Sequence, residues 1–482
     1  MSISKKQKQT SEEIKGYKIL MPSELILEKI LAINPPAFVY NLDFFKYLIH
    51  LTIDLPARNK NLIDHNGYVP FKAEILQKKR RNYRDHLDYL VANKVLDELP
   101  FYEVDRKCKR FRIAEKFLSD KLTEINLTDS ILIKHLTREN GIDFATTIEY
   151  KNLYKWFNDR LKIDADAAIK YCYAQLQKEK HENYYQAYCS AYRKILKIKM
   201  IENRNFWFNQ DGFGNRLHTN MTNLDKDLKQ FITYNGESLV SIDIKNSQPY
   251  MSLKILIDEF PELKHTNLHL TPPTYQQTTP PISIMLVNRS QNIDLQDVIR
   301  YGTLVVNGTL YEYMEAKIRE AFGDVYFTKA YIFDMDKLEP VKNDLTPRDR
   351  VKKVMFQVFF SANETTTKEK ELFRQLFPTV TRVFEKRKDN KHVIFADRYK
   401  RLAKELQKIE SSAMLDKIVW ELSTERPQIP LYTIHDSIVT TIGNEDFVRD
   451  IMQKLLNGEI GFEPTLSIEY WCKDCAGFKQ AA

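Results

Sequence analysis

At 482 residues the chain is too long for one ordinary hydrophobic core, so two to four packed units around a large central one are expected. Hydrophobic residues at 43% and charged residues at 29%, with only 18 Pro and 13 Gly, exclude a low-complexity or fibrous chain. Lys and Arg outnumber Asp and Glu by 73 to 65, and the net charge of +8 suits a polyanionic partner without requiring one.

No apolar run approaches the roughly 18 residues of a membrane span, and the N-terminus has no apolar signal segment, so no membrane partner and a cytoplasmic location are expected. Five cysteines, Cys108, Cys172, Cys189, Cys472 and Cys475, are too few and odd in number for a disulfide framework. Cys472 and Cys475 form a lone Cys-x-x-Cys; a tetrahedral zinc site needs two further ligands, so two reduced thiols are the better reading.

In chain order, residues 1–20 are polar and charged and read as a disordered tail. Residues 21–118 read as a helix, a short strand, two helices and a two-stranded hairpin, an order that resembles a winged helix. Lys78, Lys79, Arg80, Arg81 and Arg84 fall at the start of the second long helix, where a recognition helix meets a DNA groove. Arg106, Lys107, Lys109 and Arg110 fall on the hairpin. The alternatives are a solvated basic face and a protein-docking module. Residues 119–205 are helical in pattern and rich in Lys and Tyr, which at helical spacing reads as core plus solvated face before it reads as a nucleic-acid channel.

From 206 to 260 strands and turns take over, ending in SLVSIDIKNSQPYMSL. A Thr/Pro/Gln-rich stretch makes 261–294 a mobile loop. Helices dominate 295–400, and 401–482 contains the strand pair LYTIHDSIVTT.

Two aspartates follow apolar strands. Asp243 ends the run Leu239, Val240, Ile242, and Asp436 sits in the tight turn after Leu431–His435. Phosphoryl transfer by two metal ions about 4 Å apart needs little more protein than two such carboxylates. Singly, each is an ordinary turn residue. Between them, Arg348, Lys352, Phe356 and Phe360 recur every fourth position in TPRDRVKKVMFQVFFSAN, so on a helix they share one face. Thr346 suits the N-cap and Pro347 the first helical position. Two cations followed by two aromatics on one stripe can hold a triphosphate and support a base.

That ordered set resembles motifs A, B and C of the family A DNA polymerases and the single-subunit phage-type RNA polymerases: Asp243, then Arg348/Lys352/Phe356/Phe360, then His435-Asp436. The segment GNRLHT, with Arg216, is similar to the one that touches primer-template before motif A, and residues 407–422 are similar to the helix before motif C. The resemblance covers about 206–475. It implies an α+β right-hand polymerase: 206–260 and 401–482 as palm, 295–400 as fingers, 119–205 as a thumb-like region. It further implies two Mg2+ ions on catalytic Asp243 and Asp436, nucleoside triphosphate on the motif B stripe, and primer-template near Arg216 and His435.

Departures bear on the nucleotide. Gln248, five residues after Asp243, stands where the DNA polymerases carry a glutamate and the RNA polymerases a glycine, and it is large enough to exclude a 2′-hydroxyl. Phe356 matches the DNA polymerases, Phe360 replaces a tyrosine found in both, and Ser437 after the Asp matches the RNA polymerases. The balance favours a DNA polymerase using dNTPs. An RNA polymerase or primase-like enzyme is the alternative, and a replication initiator or defence protein with a non-catalytic palm is the third reading. No Asp-x-Glu precedes Asp243, so no proofreading exonuclease is expected.

Overall fold

The computed structural model describes residues 17–100, 108–139, 149–181, 184–266, 268, 295–328, 345–389 and 399–472, and the backbone of 331–334 and 339–342. It is a mixed fold of helices and antiparallel sheets, divided into two compact units. One comprises Met1–Glu149, Phe157–Phe208 and Thr219–Gly236; the other comprises Tyr150–Trp156, Asn209–His218 and Glu237–Ala482.

Residues 18–20, expected in a disordered tail, begin the strand Lys18–Pro22, which pairs antiparallel with Leu122–Asn126 and buries Ile19, Leu20 and Met21. Its backbone groups are satisfied by a segment about a hundred residues later, which local composition does not reveal. The tail's residues 1–16 lie outside the described residues.

Helix Leu42–Arg58 is started by Asn41, whose side chain accepts from the Phe44 N–H, and it buries Phe44, Phe45, Leu48 and Ile49. Strand Val69–Pro70, helices Ala73–Lys79 and Tyr83–Ala92, and strands Leu96–Glu98 and Arg110–Ile113 follow, with Arg110–Ile113 central in a three-stranded sheet. The basic run is distributed differently from its reading as one helix start. Lys78 and Lys79 close the first helix, extended Arg80 ends it, and only Arg84 lies in the second. Lys79 is buried with its ammonium 5.5 Å from the Tyr47 ring, and Arg80 pairs with Asp129 at 3.4 Å. Lys78, Arg81 and Arg84 are exposed. On the hairpin Lys109 pairs with Glu98 and Arg110 with Asp64; Arg106 and Lys107 lie outside the described residues.

Residues 119–205 are not wholly helical, since they include strands Leu122–Asn126 and Leu161–Ile163. In helix Tyr184–Glu202 the buried residues Ala187, Tyr188, Ala191, Tyr192 and Ile195 make a core stripe at helical spacing, while Lys194 and Lys197 pair with Asp227 and Asp225.

In the second unit, strand Glu237–Ile244 lies between Ser437–Thr441 and Leu466–Tyr470, and Tyr432–Ile434 flanks Ser437–Thr441 on its far side; all pairs are antiparallel. Leu239, Val240 and Ile242 are fully buried, which explains the near-continuous apolar run of that central strand. Helices Ser247–Glu259, Gln296–Val306, Leu310–Phe322, Pro347–Phe360, Lys368–Leu376, Pro378–Lys388, Lys400–Ser411 and Glu445–Ile460 belong to the same unit, the last of them packed on strands Glu237–Ile244, Ser437–Thr441 and Leu466–Tyr470. Their aromatic core includes Tyr301 against Phe377 at 5.5 Å and Phe359 against Phe384 at 5.2 Å.

The segment read as a loop from 261 begins as a 3-10 helix, Pro261–His265, with Leu263 buried; residues 267 and 269–294 lie outside the described residues. Cys472 is disulfide-bonded where a reduced thiol was expected, and Cys475 lies outside the described residues. Among the described residues no helix is long and apolar enough to cross a membrane.

Candidate active site

Strand Glu237–Ile244 carries Asp243 at its end, where Asp243 faces Ser437 across the ladder. Strands Tyr432–Ile434 and Ser437–Thr441 are joined by a two-residue turn, because Ile434 pairs directly with Ser437. His435 and Asp436 are those two residues. His435 takes φ +52°, the left-handed conformation that two-residue hairpins demand and that a residue with a Cβ rarely adopts. The Ile244 N–H reaches the Asp436 carbonyl at 3.4 Å, so both carboxylates stand at one end of adjacent strands. Burial and the neighbouring charge of Asp243 hold the Asp436 carboxyl above its ordinary value. Ser241 Oγ donates to Asp243 Oδ2 at 3.1 Å.

A third acid joins the site. Glu410, 1% exposed, sits in the last turn of helix Lys400–Ser411. Arg216 grips it with two hydrogen bonds, Nε to Oε1 at 2.7 Å and Nη2 to Oε2 at 2.9 Å. Gln248 Nε2 donates to Oε2 at 2.6 Å and Ser247 Oγ at 3.2 Å. Burial pushes the Glu410 carboxyl up to about 7, Arg216 pulls against that, and the charge of Asp436 adds to it. The sequence reading missed Glu410. It left a legible signal, because Leu402, Ala403, Leu406, Glu410 and Ala413 are all buried and continue one helical face, which places an acid at a core position.

Among the described residues, Gln248 Oε1, Asn246 Oδ1 and Nδ2, and His435 Nδ1 are buried without a hydrogen-bond partner. Asn246 takes φ +54° in the turn from the Asp243 strand into helix Ser247–Glu259. Burial, with the Arg216 guanidinium and the His218 ring nearby, depresses His435 to about 4, so its ring is neutral near pH 7. The His218 ring lies 5.5 Å from it and is itself held by Asp211 at 3.0 Å.

Helix Pro347–Phe360 starts where its sequence signals put it: Thr346 Oγ1 accepts from the Asp349 N–H at 3.2 Å, and Pro347 is the first helical residue. Arg348, Lys352 and Phe356 are exposed and Phe360 half-buried, whereas Val351, Val354, Met355, Val358 and Phe359 are buried. The stripe therefore faces outward as a unit. Phe356 and Phe360 are 5.5 Å apart and the Lys352 ammonium lies 5.8 Å from the Phe356 ring. Arg348 pairs with Glu312 and lies 5.5 Å from the ring of Tyr311. Tyr311, another residue the sequence did not single out, is pushed up to about 12 by burial; it feels the charges of both Arg348 and Asp436, which ties this helix electrostatically to the aspartate turn.

Arg216 is thus engaged internally, and Gln248 is buried with its amide nitrogen committed to Glu410. Lys78, Lys79, Arg80, Arg81 and Arg84 belong to the other unit. Among the described residues no group of three or more His, Cys, Asp or Glu forms a metal cage. A pair of carboxylates still fits magnesium, which completes its shell with water and substrate oxygens and does not depend on an all-protein cage.

No protein-family model and no curated protein matches the chain. Among solved structures it is similar to the POL domain of Pol1 from M. smegmatis, in complex with DNA primer-template and dNTP, at 10% identity over 71% of this chain and 73% of that one, with a TM-score of 0.41.

Proposed function

We propose that the protein is a template-directed nucleic-acid polymerase, most simply a DNA polymerase without proofreading, and that Asp243 and Asp436 are its metal-binding aspartates. The observation that carries this reading is the convergence of two carboxylates on one end of adjacent strands, close enough that the charge of one raises the proton affinity of the other. Like charges held together at a cost are what a divalent cation relieves. In this reading strand Glu237–Ile244 and the His435-Asp436 turn belong to a palm, and 295–400 to fingers.

Bound magnesium would supply Lewis-acid activation of the attacking 3′ hydroxyl and charge neutralisation on the departing pyrophosphate. The chain's own residues bind and orient. Arg348 and Lys352 hold the triphosphate once Arg348 exchanges Glu312 for phosphate oxygens, a trade of one anion for a more highly charged one. Phe356 and Phe360 present a two-ring surface to the incoming base. Neutral His435 offers hydrogen bonds rather than charge to the primer end; Arg216 would reach primer-template only by giving up Glu410, so its task in this reading is to hold that acid. Exposed Lys78, Arg81 and Arg84 add a further nucleic-acid surface on the first unit.

A second reading, an RNA polymerase or primase-like enzyme, draws on the buried Gln248 Oε1, which has no partner among the described residues and is an acceptor that a ribose hydroxyl would satisfy. Primer extension on DNA and RNA templates, with dNTPs and rNTPs separately, distinguishes the two. Asp243→Ala and Asp436→Ala are expected to abolish incorporation on either substrate. Full activity of either variant refutes the assignment, and exclusive use of rNTPs overturns the preference for DNA synthesis.

A further inference from the structure

Glu410 is a buried carboxylate to which the chemistry above gives no task. It accepts four hydrogen bonds from Arg216, Ser247 and Gln248. The two ends of a glutamine amide are nearly the same shape, one a donor and the other an acceptor. With Arg216 donating to both of its oxygens, Glu410 presents acceptors to its other neighbours, and the amide nitrogen faces inward at 2.6 Å. Gln248 Oε1 is therefore turned away from Glu410, and it is buried with no partner among the described residues. A buried acceptor left unpaired is costly, so such an atom is met either by an ordered water or by a donor on a ligand that displaces it.

The chemistry of that donor is restricted. Gln248 lies in the first turn of the helix that follows the Asp243 strand, and its neighbour Ser247 binds the same Glu410 oxygen. A template-directed site passes four different bases, so a fixed acceptor that serves every cycle must meet a group common to all four. The hydroxyl donors common to them are on the sugar.

We propose that Glu410 is a positioning residue that locks the Gln248 amide with Oε1 presented to a sugar hydroxyl of the bound nucleoside triphosphate. The proposal rests on the reading of Asp243 and Asp436 as the polymerase pair. It makes sugar selectivity depend on an acid that itself touches no substrate.

The test is single-nucleotide incorporation by the full-length protein, with kcat/KM measured for rNTP, dNTP and 2′,3′-dideoxy-NTP. The variants are Gln248→Leu, Glu410→Gln and Asp436→Ala. If the 2′ hydroxyl is the donor, the rNTP/dNTP ratio falls in both Gln248→Leu and Glu410→Gln by about tenfold, the worth of one hydrogen bond. If the 3′ hydroxyl is the donor, the dNTP/dideoxy ratio falls instead. Either result supports the proposal.

Both ratios unchanged to within about twofold, with Asp436→Ala inactive, overturns the role of Glu410 and leaves the polymerase reading standing. Loss of all incorporation in both Gln248→Leu and Glu410→Gln also overturns it, since a positioning role leaves the aspartates at work. An inactive wild-type protein, or an active Asp436→Ala, overturns both. A ratio that falls in Gln248→Leu but not in Glu410→Gln also overturns the role of Glu410; if Glu410→Gln does not fold, Glu410→Asp, which shortens the acid by one methylene and draws it away from the Gln248 amide, replaces it.

Discussion

Asp436 and Glu410 are held in states that stability alone would not choose. A carboxyl whose folded proton affinity is raised contributes fully to stability below the ordinary carboxylate range and progressively less as pH rises through the raised value. Asp436→Asn is therefore expected to melt higher than the wild type at pH 8 in the absence of divalent ions, by roughly 2 °C or more, with the gain vanishing toward pH 4; scanning calorimetry across pH checks it. Magnesium should raise the wild-type melting temperature in proportion to RT ln(1 + [Mg]/Kd) and leave Asp243→Asn and Asp436→Asn nearly unmoved.

The Arg216–Glu410 pair obeys the complementary rule. Arg216→Met strands a buried carboxylate and is expected to cost about 3–5 kcal/mol in urea unfolding, with much of the loss recovered in the Arg216→Met/Glu410→Gln double variant. At this scale the sequence pointed to Asp243, Asp436 and the Arg348 stripe because their types and spacing are local. It did not expose Glu410 or Tyr311, whose importance comes from what packs around them.

Helix Pro347–Phe360 is secured at both ends by different means. Its start is a local device, so Thr346→Ala should lose about 1 kcal/mol, read as a drop in melting temperature together with a rise in KM for nucleotide if the helix holds the triphosphate. Its far end is held by distant residues: Lys388 Nζ donates to the carbonyls of Val358 and Ser361, and Lys370 Nζ to those of Ala362 and Thr365. Val358 lies in the last turn and Ser361 is the cap, so Lys388 meets acceptors that a helix C-terminus leaves orphaned, while Lys370 fixes the turn that follows. The N-cap was readable three residues away, and the lysine clamp was not. The same contrast holds in helix Lys400–Ser411. Its periodicity is plain in sequence, but its continuation as a π-helical stretch over Ser412–Ile418, directly after Glu410 and Ser411, is not.

Across the whole molecule, charge is the term that bears on partners. The first unit's exposed Lys78, Arg81 and Arg84 are expected to contribute salt-sensitive, sequence-independent affinity for nucleic acid. Arg81→Gln/Arg84→Gln should weaken duplex binding and lower the slope of log K against log salt by about 1 for each phosphate no longer neutralised, measured by fluorescence anisotropy. An unchanged slope would assign that face to another partner.

By itself the sequence determined the start of the Arg348 helix, the apolar central strand, and the four-residue stripe of that helix. Each depends on neighbours within a turn or two of chain. Only the tertiary structure decided that Lys18–Pro22 is a strand, that Arg216 spends its charge on an acid 194 residues away, and that Gln248 turns its nitrogen inward. Those are matters of burial and of hydrogen bonds between distant segments. Their energies arise only when water is excluded around both partners, and no local pattern of residues records where that will happen.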